Sequence, residues 1–304
     1  MATIKVAVLL AAFNGKRWLP EQVSTILQQK DVDVTIFVSV DKSSDGTESW
    51  FDYLAERESR IMLLSHGQCF GSAAANFLRL ISEVDFSYFD YVSFADQDDM
   101  WNSDKLFQGT EILRQQKADA YSSNVIACWP DGRKVLVDKA QPQVDWDFLF
   151  ESAGPGCTYI INKKLAVDFQ GFVRYRYDEM SSVWLHDWLI YAFARSRGYK
   201  WVIDKNPSML YRQHVDNSVG VNKGLVALLH RMHFVLSGRA IEQTLLLVRL
   251  CGLENSQFVC DFSKKSRLRG MYLAMNASKC RRKGVDRIYF VLSGILLTIV
   301  GSQK

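Results

Sequence analysis

Four apolar runs in the N-terminal third, each parted from the next by a stretch of helical periodicity, leave few folds open to this chain. The first, IKVAVLLAAF from Ile4 to Phe13, is continuously apolar, as expected of a strand covered on both faces. Leu19, Val23, Ile26 and Leu27 then recur at helical spacing. VDVTIFVSVD reads as a second strand, and the segment after it opens on small polar residues, Ser43 to Thr47, suited to capping a helix. RIMLLSH is a third strand, SAAANFLRLISEV a helix and DYVSFAD a fourth strand. Strand and helix alternating at this interval predict an α/β fold with a doubly wound, mainly parallel sheet of Rossmann-like type.

Beyond residue 105 the order loosens. A helix from Lys105 to Gln116 precedes a strand from Asp119 to Trp129 and a turn at Pro130-Asp131-Gly132. GPGCTYIIN reads as a strand behind a Gly-Pro-Gly turn, and a helix runs from Trp184 to Arg197. From Lys223 onward the pattern is mainly helical and basic, so the chain divides into a main domain over 1–220 and a helical extension over 221–304. The 304 residues are 48% hydrophobic and 23% charged, a composition that supports a buried core. The net charge of +4 is mild, and the signs are mixed through the middle of the chain, which argues against a nucleic-acid partner. The exception is an acid-free block between Phe262 and Val285 holding Lys264, Lys265, Arg267, Arg269, Lys279, Arg281, Arg282 and Lys283. Such a block is a solvated face or a seat for anionic lipid or phosphate. Six scattered cysteines without a CxxC pair point to free thiols in a reducing compartment. The N-terminal apolar run, with Asn14-Gly15 as a turn behind it, reads as a buried strand rather than a signal peptide. The apolar run from Ile288 to Gly301 is too short to span a bilayer and reads as interfacial or core.

In an open parallel sheet, ligands bind beyond the carboxyl ends of the strands. Three polar clusters stand there: Phe13-Asn14-Gly15 after the first strand, Asp41 with Asp45 after the second, and Asp96, Asp98 and Asp99 after the fourth. Neither GxGxxG nor GxxxxGK[ST] occurs, so a bound nucleotide needs another source of positive charge for its phosphates. A divalent cation, Mg²⁺ or Mn²⁺, held by Asp98 and its neighbours supplies it and makes three crowded carboxylates tolerable.

In these segments the chain resembles the family 2 glycosyltransferases, which have the GT-A fold. VAVLLAAFNGKRWLPEQVSTILQQ is similar to their opening strand, loop and helix. VSVDKSSDGT is similar to their DDxSxDGT segment, with Val40 in place of the first Asp, and FADQDDMW to their DxD metal motif. GPGCTYIIN resembles the acceptor-side strand, LHDWLIY the segment of the catalytic base and YRQHVDNSVG the closing loop. The variant with Gln and a following Trp is most similar to bacterial rhamnosyltransferases of surface-polysaccharide synthesis. The resemblance covers about residues 4–220 and implies a nucleotide-sugar half over about 1–105 and an acceptor half over about 106–220.

It also implies roles. Ala11, Phe13 and Asn14 line the nucleotide loop, Phe13 flanking a pyrimidine whose ring N–H Asp41 accepts. Asp98 coordinates the cation, with His214 as a further ligand, and Asp96 orients the sugar or the metal shell. Gly156 lets backbone approach the sugar, and Arg212 takes up charge on the diphosphate. Asp187 is the general base of an inverting, metal-dependent transfer, with dTDP-L-rhamnose as donor and a lipid-linked glycan as acceptor at the cytoplasmic face of the membrane. Plainer readings stay open: His186 and His214 as loop histidines, Asp99 as a helix cap, and Trp101, Trp184 and Trp188 as packing. Two other functions stand beside the transferase. A sugar nucleotidyltransferase would need a Gly-rich, basic phosphate loop that AAFNGKRW does not provide, and a non-catalytic nucleotide-sugar scaffold would not need Asp98 and Asp187 together. For the basic tail, peripheral membrane contact and packing or homodimer formation are the alternatives.

Overall fold

The computed structural model describes residues 3–214, 237–263 and 268–300. The closing-loop residues 215–220, and Lys264, Lys265 and Arg267 of the basic block, lie outside the described residues, as does the division near residue 220.

The first strand, β1 (Ile4–Ala12), shows why its sequence does not alternate. Ala7, Leu9 and Ala11 enter one apolar cluster and Val6, Val8, Leu10 and Ala12 another, on the opposite face. The chain then runs through α1 (Leu19–Leu27), β2 (Val32–Val40), α2 (Thr47–Ala55), β3 (Ile61–Leu63), α3 (Ala73–Glu83) and β4 (Tyr91–Ala95). Pro20 sits in the first turn of α1, and the Ser72 hydroxyl caps α3 by accepting the Ala75 N–H at 3.1 Å. β2 and β3 extend the sheet on one side of β1, and β4 pairs with β1 on the other, all parallel. That reversal makes the carboxyl edge of β1 and β4 a crevice. In register, Ala12 pairs with Val40 and Leu10 with Ala95, so Phe13, Asp41 and Asp96 all leave the sheet at the same edge.

The second half adds β5 (Met100–Trp101), α4 (Lys105–Gln116), β6 (Ala120–Ser123), β7 (Val125–Cys128), β8 (Lys134–Val137), β9 (Ile160–Asn162), α5 (Lys163–Tyr175), α6 (His186–Ser196), β10 (Trp201–Asp204) and β11 (Met209–Arg212). Among the described residues the main sheet has the order β10-β6-β9-β4-β1-β2-β3, with β9 antiparallel to both neighbours. A smaller sheet has the order β5-β11-β7-β8. The single strand expected from Asp119 to Trp129 is therefore two strands in two sheets. Asn124 makes the break: buried, it accepts the N–H groups of Lys139 and Ala140 and donates to Lys205 O and Asp138. Asn124 ends a Ser-Ser-Asn stretch with apolar residues on both sides, and its hydrogen bonds turn the chain there.

The extension comprises α7 (Arg239–Cys251), α8 (Gln257–Ser263), α9 (Arg269–Met275), α10 (Ala277–Cys280) and α11 (Gly284–Val300). Leu246, Leu247, Val259 and Phe262 belong to the same apolar cluster as β1 and α3, so these helices share the core of the main sheet. The reading of the basic block as a solvated or lipid-facing surface fails for two of its members. Arg282 has a fully buried side chain, donates to Asp147 at 3.0 Å and to Ser152 O at 2.7 Å, and lies 3.5 Å from Glu151. Arg281 donates to Phe150 O. These cations are held by carboxylates and carbonyls of the main domain instead of solvent. Asp147 also accepts from Tyr191 Oη and pairs with Arg195 at 3.0 Å. Removing one partner of a buried pair leaves a charge uncompensated, so Arg282→Met is expected to cost about 3 kcal/mol in chemical denaturation. A loss under about 1 kcal/mol would show that Arg195 alone satisfies Asp147.

Candidate active site

The loop after β1 is held from two sides. The Phe13 N–H donates to Gln97 Oε1 at 2.8 Å, and Gln97 Nε2 donates back to Phe13 O at 2.9 Å. Gln97 thus pairs with β1's end as a neighbouring strand would, tying the first loop to the DQDD segment. Gly15 leaves the room for it, since a Cβ there would stand 2.2 Å from Gln97 Oε1. Asn14, at φ 46°, accepts the Ser44 N–H at 2.8 Å, which fastens the loop to the one after β2. Ala11 is nearly buried inside β1, whereas the Phe13 ring is 54% exposed at the mouth of the crevice and free to stack on a ligand. Asp41 is buried, and its carboxylate accepts the N–H groups of Lys42, Phe70 and Gly71 at 2.8–2.9 Å. It organises the loop before α3 and keeps room for about one more donor.

The three carboxylates gather at the end of β4. Side-chain oxygens of Asp96 and Asp99 and the Cys157 sulfur lie within 4.8 Å of one another. Burial, then the Asp98 and Asp187 charges, push Asp96 up to about 7. Burial and its two neighbours hold Asp99 well above the usual carboxylate range, and burial raises Asp98 against the pull of His214. Asp99 does not cap a helix. It is fully buried, with Oδ1 accepting the Arg212 N–H at 3.3 Å and Oδ2 without a hydrogen-bond partner. Two carboxylates and a thiol converging in this way, with the Asp98 carboxylate turned to His214 beside them, offer a cation three donor atoms. The donor set fits a divalent ion.

β5 follows this cluster directly, and its antiparallel pairing with β11 sets Trp101 opposite Met209 and Met100 opposite Leu210. That register carries Arg212 and His214 back to the carboxylates. His214 Nε2 lies 2.7 Å from Asp98 Oδ2, and its ring stacks on Trp18 at 5.1 Å. Arg212 donates to Asp98 O at 2.9 Å, pairs with Glu21 and lies over the Trp18 ring at 4.6 Å.

From the other side comes α6. Asp187 occupies its first turn, where Oδ1 accepts the Trp188 N–H at 2.7 Å, and burial pushes the carboxyl up to about 6. Gly156 permits this approach: a Cβ on it would stand 2.9 Å from the Asp187 Cβ and 3.0 Å from His186 Nε2. A side chain there would crowd the α6 N-terminus. His186 is not a hydrogen-bonded loop residue. It is buried, its Nε2 has no partner, and its ring stacks on Phe77 at 3.9 Å. Trp101 and Trp188 are buried packing residues, Trp188 with its indole N–H on Phe148 O, while Trp184 is half exposed.

The family model described as glycosyl transferase family 2 matches residues 7–180. The chain belongs to glycosyl transferase family 2. Within curated proteins it is 41% identical to a dTDP-rhamnosyl transferase, RfbG, of Shigella flexneri over 94% of this chain and 99% of that one. It is 25% identical to WfaP of Escherichia coli, a UDP-Glc:alpha-D-GlcNAc-diphosphoundecaprenol beta-1,3-glucosyltransferase, over 72% of this chain and 80% of that one. Among solved structures it resembles TarS of S. aureus (residues 1-349) with a TM-score of 0.58 at 13% identity, covering 97% of this chain and 81% of that chain. It also resembles the mannosyltransferase PcManGT of Pyrobaculum calidifontis in complex with GDP-Man and Mn²⁺, with a TM-score of 0.51 at 14% identity over 98% and 88% of the two chains. The GT-A fold expected from the sequence is the fold observed, and the protein is a glycosyltransferase.

Three features of this family 2 enzyme's site escaped the sequence reading. Gln97 marked the motif variant in the sequence, but its bond to the first loop did not show there, and Cys157 lies inside GPGCTYIIN with no sign of its place beside the carboxylates. Lys105 entered the sequence reading only as the first residue of a helix. Instead it is buried beneath the cluster, its ammonium 3.3 Å from the centroid of Trp101 and 3.5 Å from Ser93 Oγ, with burial pulling its pKa down to about 7.

Proposed function

We propose that the enzyme transfers L-rhamnose from dTDP-L-rhamnose to a lipid-linked glycan, inverting the anomeric centre, at the cytoplasmic face of the membrane. The carrying observation is that Asp187, at the start of α6, stands near enough to the cluster at the end of β4 for its charge to raise Asp96. The identity to a dTDP-rhamnosyl transferase over nearly the whole of both chains supports the donor, and the diphosphoundecaprenol in WfaP's name supports the acceptor.

The crevice residues divide the work. Phe13 offers its exposed ring to the base, and the loop ordered by Asp41 closes over the nucleotide side. Asp96 and Asp99, whose oxygens converge with the Cys157 sulfur, and Asp98, which now faces His214, would hold Mg²⁺ or Mn²⁺. When bound, that ion supplies positive charge to the leaving diphosphate. Arg212 stands on the same side and adds its own. Asp187 removes the proton from the acceptor hydroxyl as its oxygen attacks the anomeric carbon. NMR of the product made from dTDP-L-rhamnose tests this: the new linkage should have the configuration opposite to the donor's. Retained configuration would remove Asp187 as base, and consumption of a different nucleotide sugar with dTDP-L-rhamnose untouched would overturn the donor.

A further inference from the structure

The last helix, α11, carries no charged residue from Ile288 to Val300, yet it lies on the surface. Its inner side is fixed. Gly294 crosses Gly270 of α9 so closely that a Cβ on either would meet the other's carbonyl oxygen within 2.5 Å, and Phe290 packs on Phe150. The helix therefore cannot roll to hide its other side. That outer side presents Val285, Ile288, Leu292, Ile295 and Ile299, the last 69% exposed, with Tyr289 along its flank. Among the described residues no helix is long and apolar enough to cross a membrane, and α11's 17 residues extend about 25 Å against the ~30 Å of a hydrocarbon core.

We propose that α11 seats the enzyme in the headgroup layer of an anionic bilayer, lying parallel to the surface. This deepens the lipid-linked acceptor reading and rests on it for the identity of the partner. Charge complementarity chooses lipid over a second copy of the chain. Lys279 and Lys283 are exposed just before the helix, in the stretch that holds no acid between Phe262 and Val285. Basic residues at the margin of an apolar face that bears a tyrosine are the composition of an interfacial helix. A paired helix exposed to water would carry charges flanking its seam, whereas here Tyr289, Val291, Leu296 and Thr298 stand there. Two heptads are also short for a seam of that kind.

The test uses the full chain and vesicles of phosphatidylglycerol in phosphatidylethanolamine, with phosphatidylcholine vesicles as the neutral comparison. The protein should sediment with the anionic vesicles, less so as salt rises. Leu292→Glu with Ile299→Glu should lower that partition about tenfold or more, with thermal unfolding unchanged. Lys279→Glu with Lys283→Glu should remove the preference for anionic lipid. Equal recovery in the supernatant with and without anionic vesicles would overturn the proposal. So would light scattering that finds a dimer which Leu292→Glu with Ile299→Glu converts to monomer, because the face would then belong to a second copy. Consumption of dTDP-L-rhamnose in detergent is read on the same samples. Its loss in the unaltered protein would overturn the donor reading while leaving vesicle binding to stand by itself.

Discussion

Asp187→Asn should lower turnover by roughly 10²- to 10⁴-fold while donor affinity persists, the range expected for removing a general base. The substitution keeps the shape of the site. Asp187 Oδ1 accepts the Trp188 N–H of its own turn, a bond that an asparagine carbonyl oxygen can also accept, and the tight contact with Gly156 does not change. Only basicity is lost. The sign of the pH dependence follows from burial, which lifts this carboxyl from its ordinary value to about 6. A base works when deprotonated, so turnover should fall by about tenfold per pH unit below about 6 and level off above it. The asparagine variant should lose that acid limb. Calorimetry with the nucleotide sugar separates the roles, since a variant that no longer binds donor would make Asp187 a donor ligand. An unaltered acid limb would place the base on another residue.

The sheet was legible because its signal is local. Each strand of the first half is a short apolar run, and β1's run is unbroken because alternate residues feed opposite cores. The strand-end rule then located the carboxylates without any contact being known. Asp187 was different. It lies far along the chain from Asp96, and only the likeness of LHDWLIY to a known segment brought the two together. What stayed hidden depends on single long-range bonds. Asn124 splits a strand between sheets, Gln97 sews two loops together, and Arg282 enters the interior to meet Asp147. Composition treats all three as surface residues, since polar side chains are buried only when particular partners await them. α5 had apolar residues at helical spacing, Leu165, Ala166, Phe169 and Val173, with Asn162 as its cap, and was readable but not read.

The crowded carboxylates after β4 are expected to hold a cation against a diphosphate. Without one, Asp96, Asp98 and Asp99 repel, and all three are held above the ordinary carboxylate range. Asp98→Asn keeps an oxygen facing His214 but removes one negative charge from the set, so it should bind Mn²⁺ far more weakly and abolish transfer while leaving thermal unfolding in place. The most direct measurement strips the unaltered enzyme with EDTA and follows nucleoside diphosphate release from dTDP-L-rhamnose and acceptor as Mn²⁺ is returned, beside calorimetry of Mn²⁺ binding. Release should be near background in the stripped enzyme, recover fully on adding Mn²⁺, and not recover in Asp98→Asn. Undiminished release by the metal-stripped enzyme in EDTA would contradict the cation assignment.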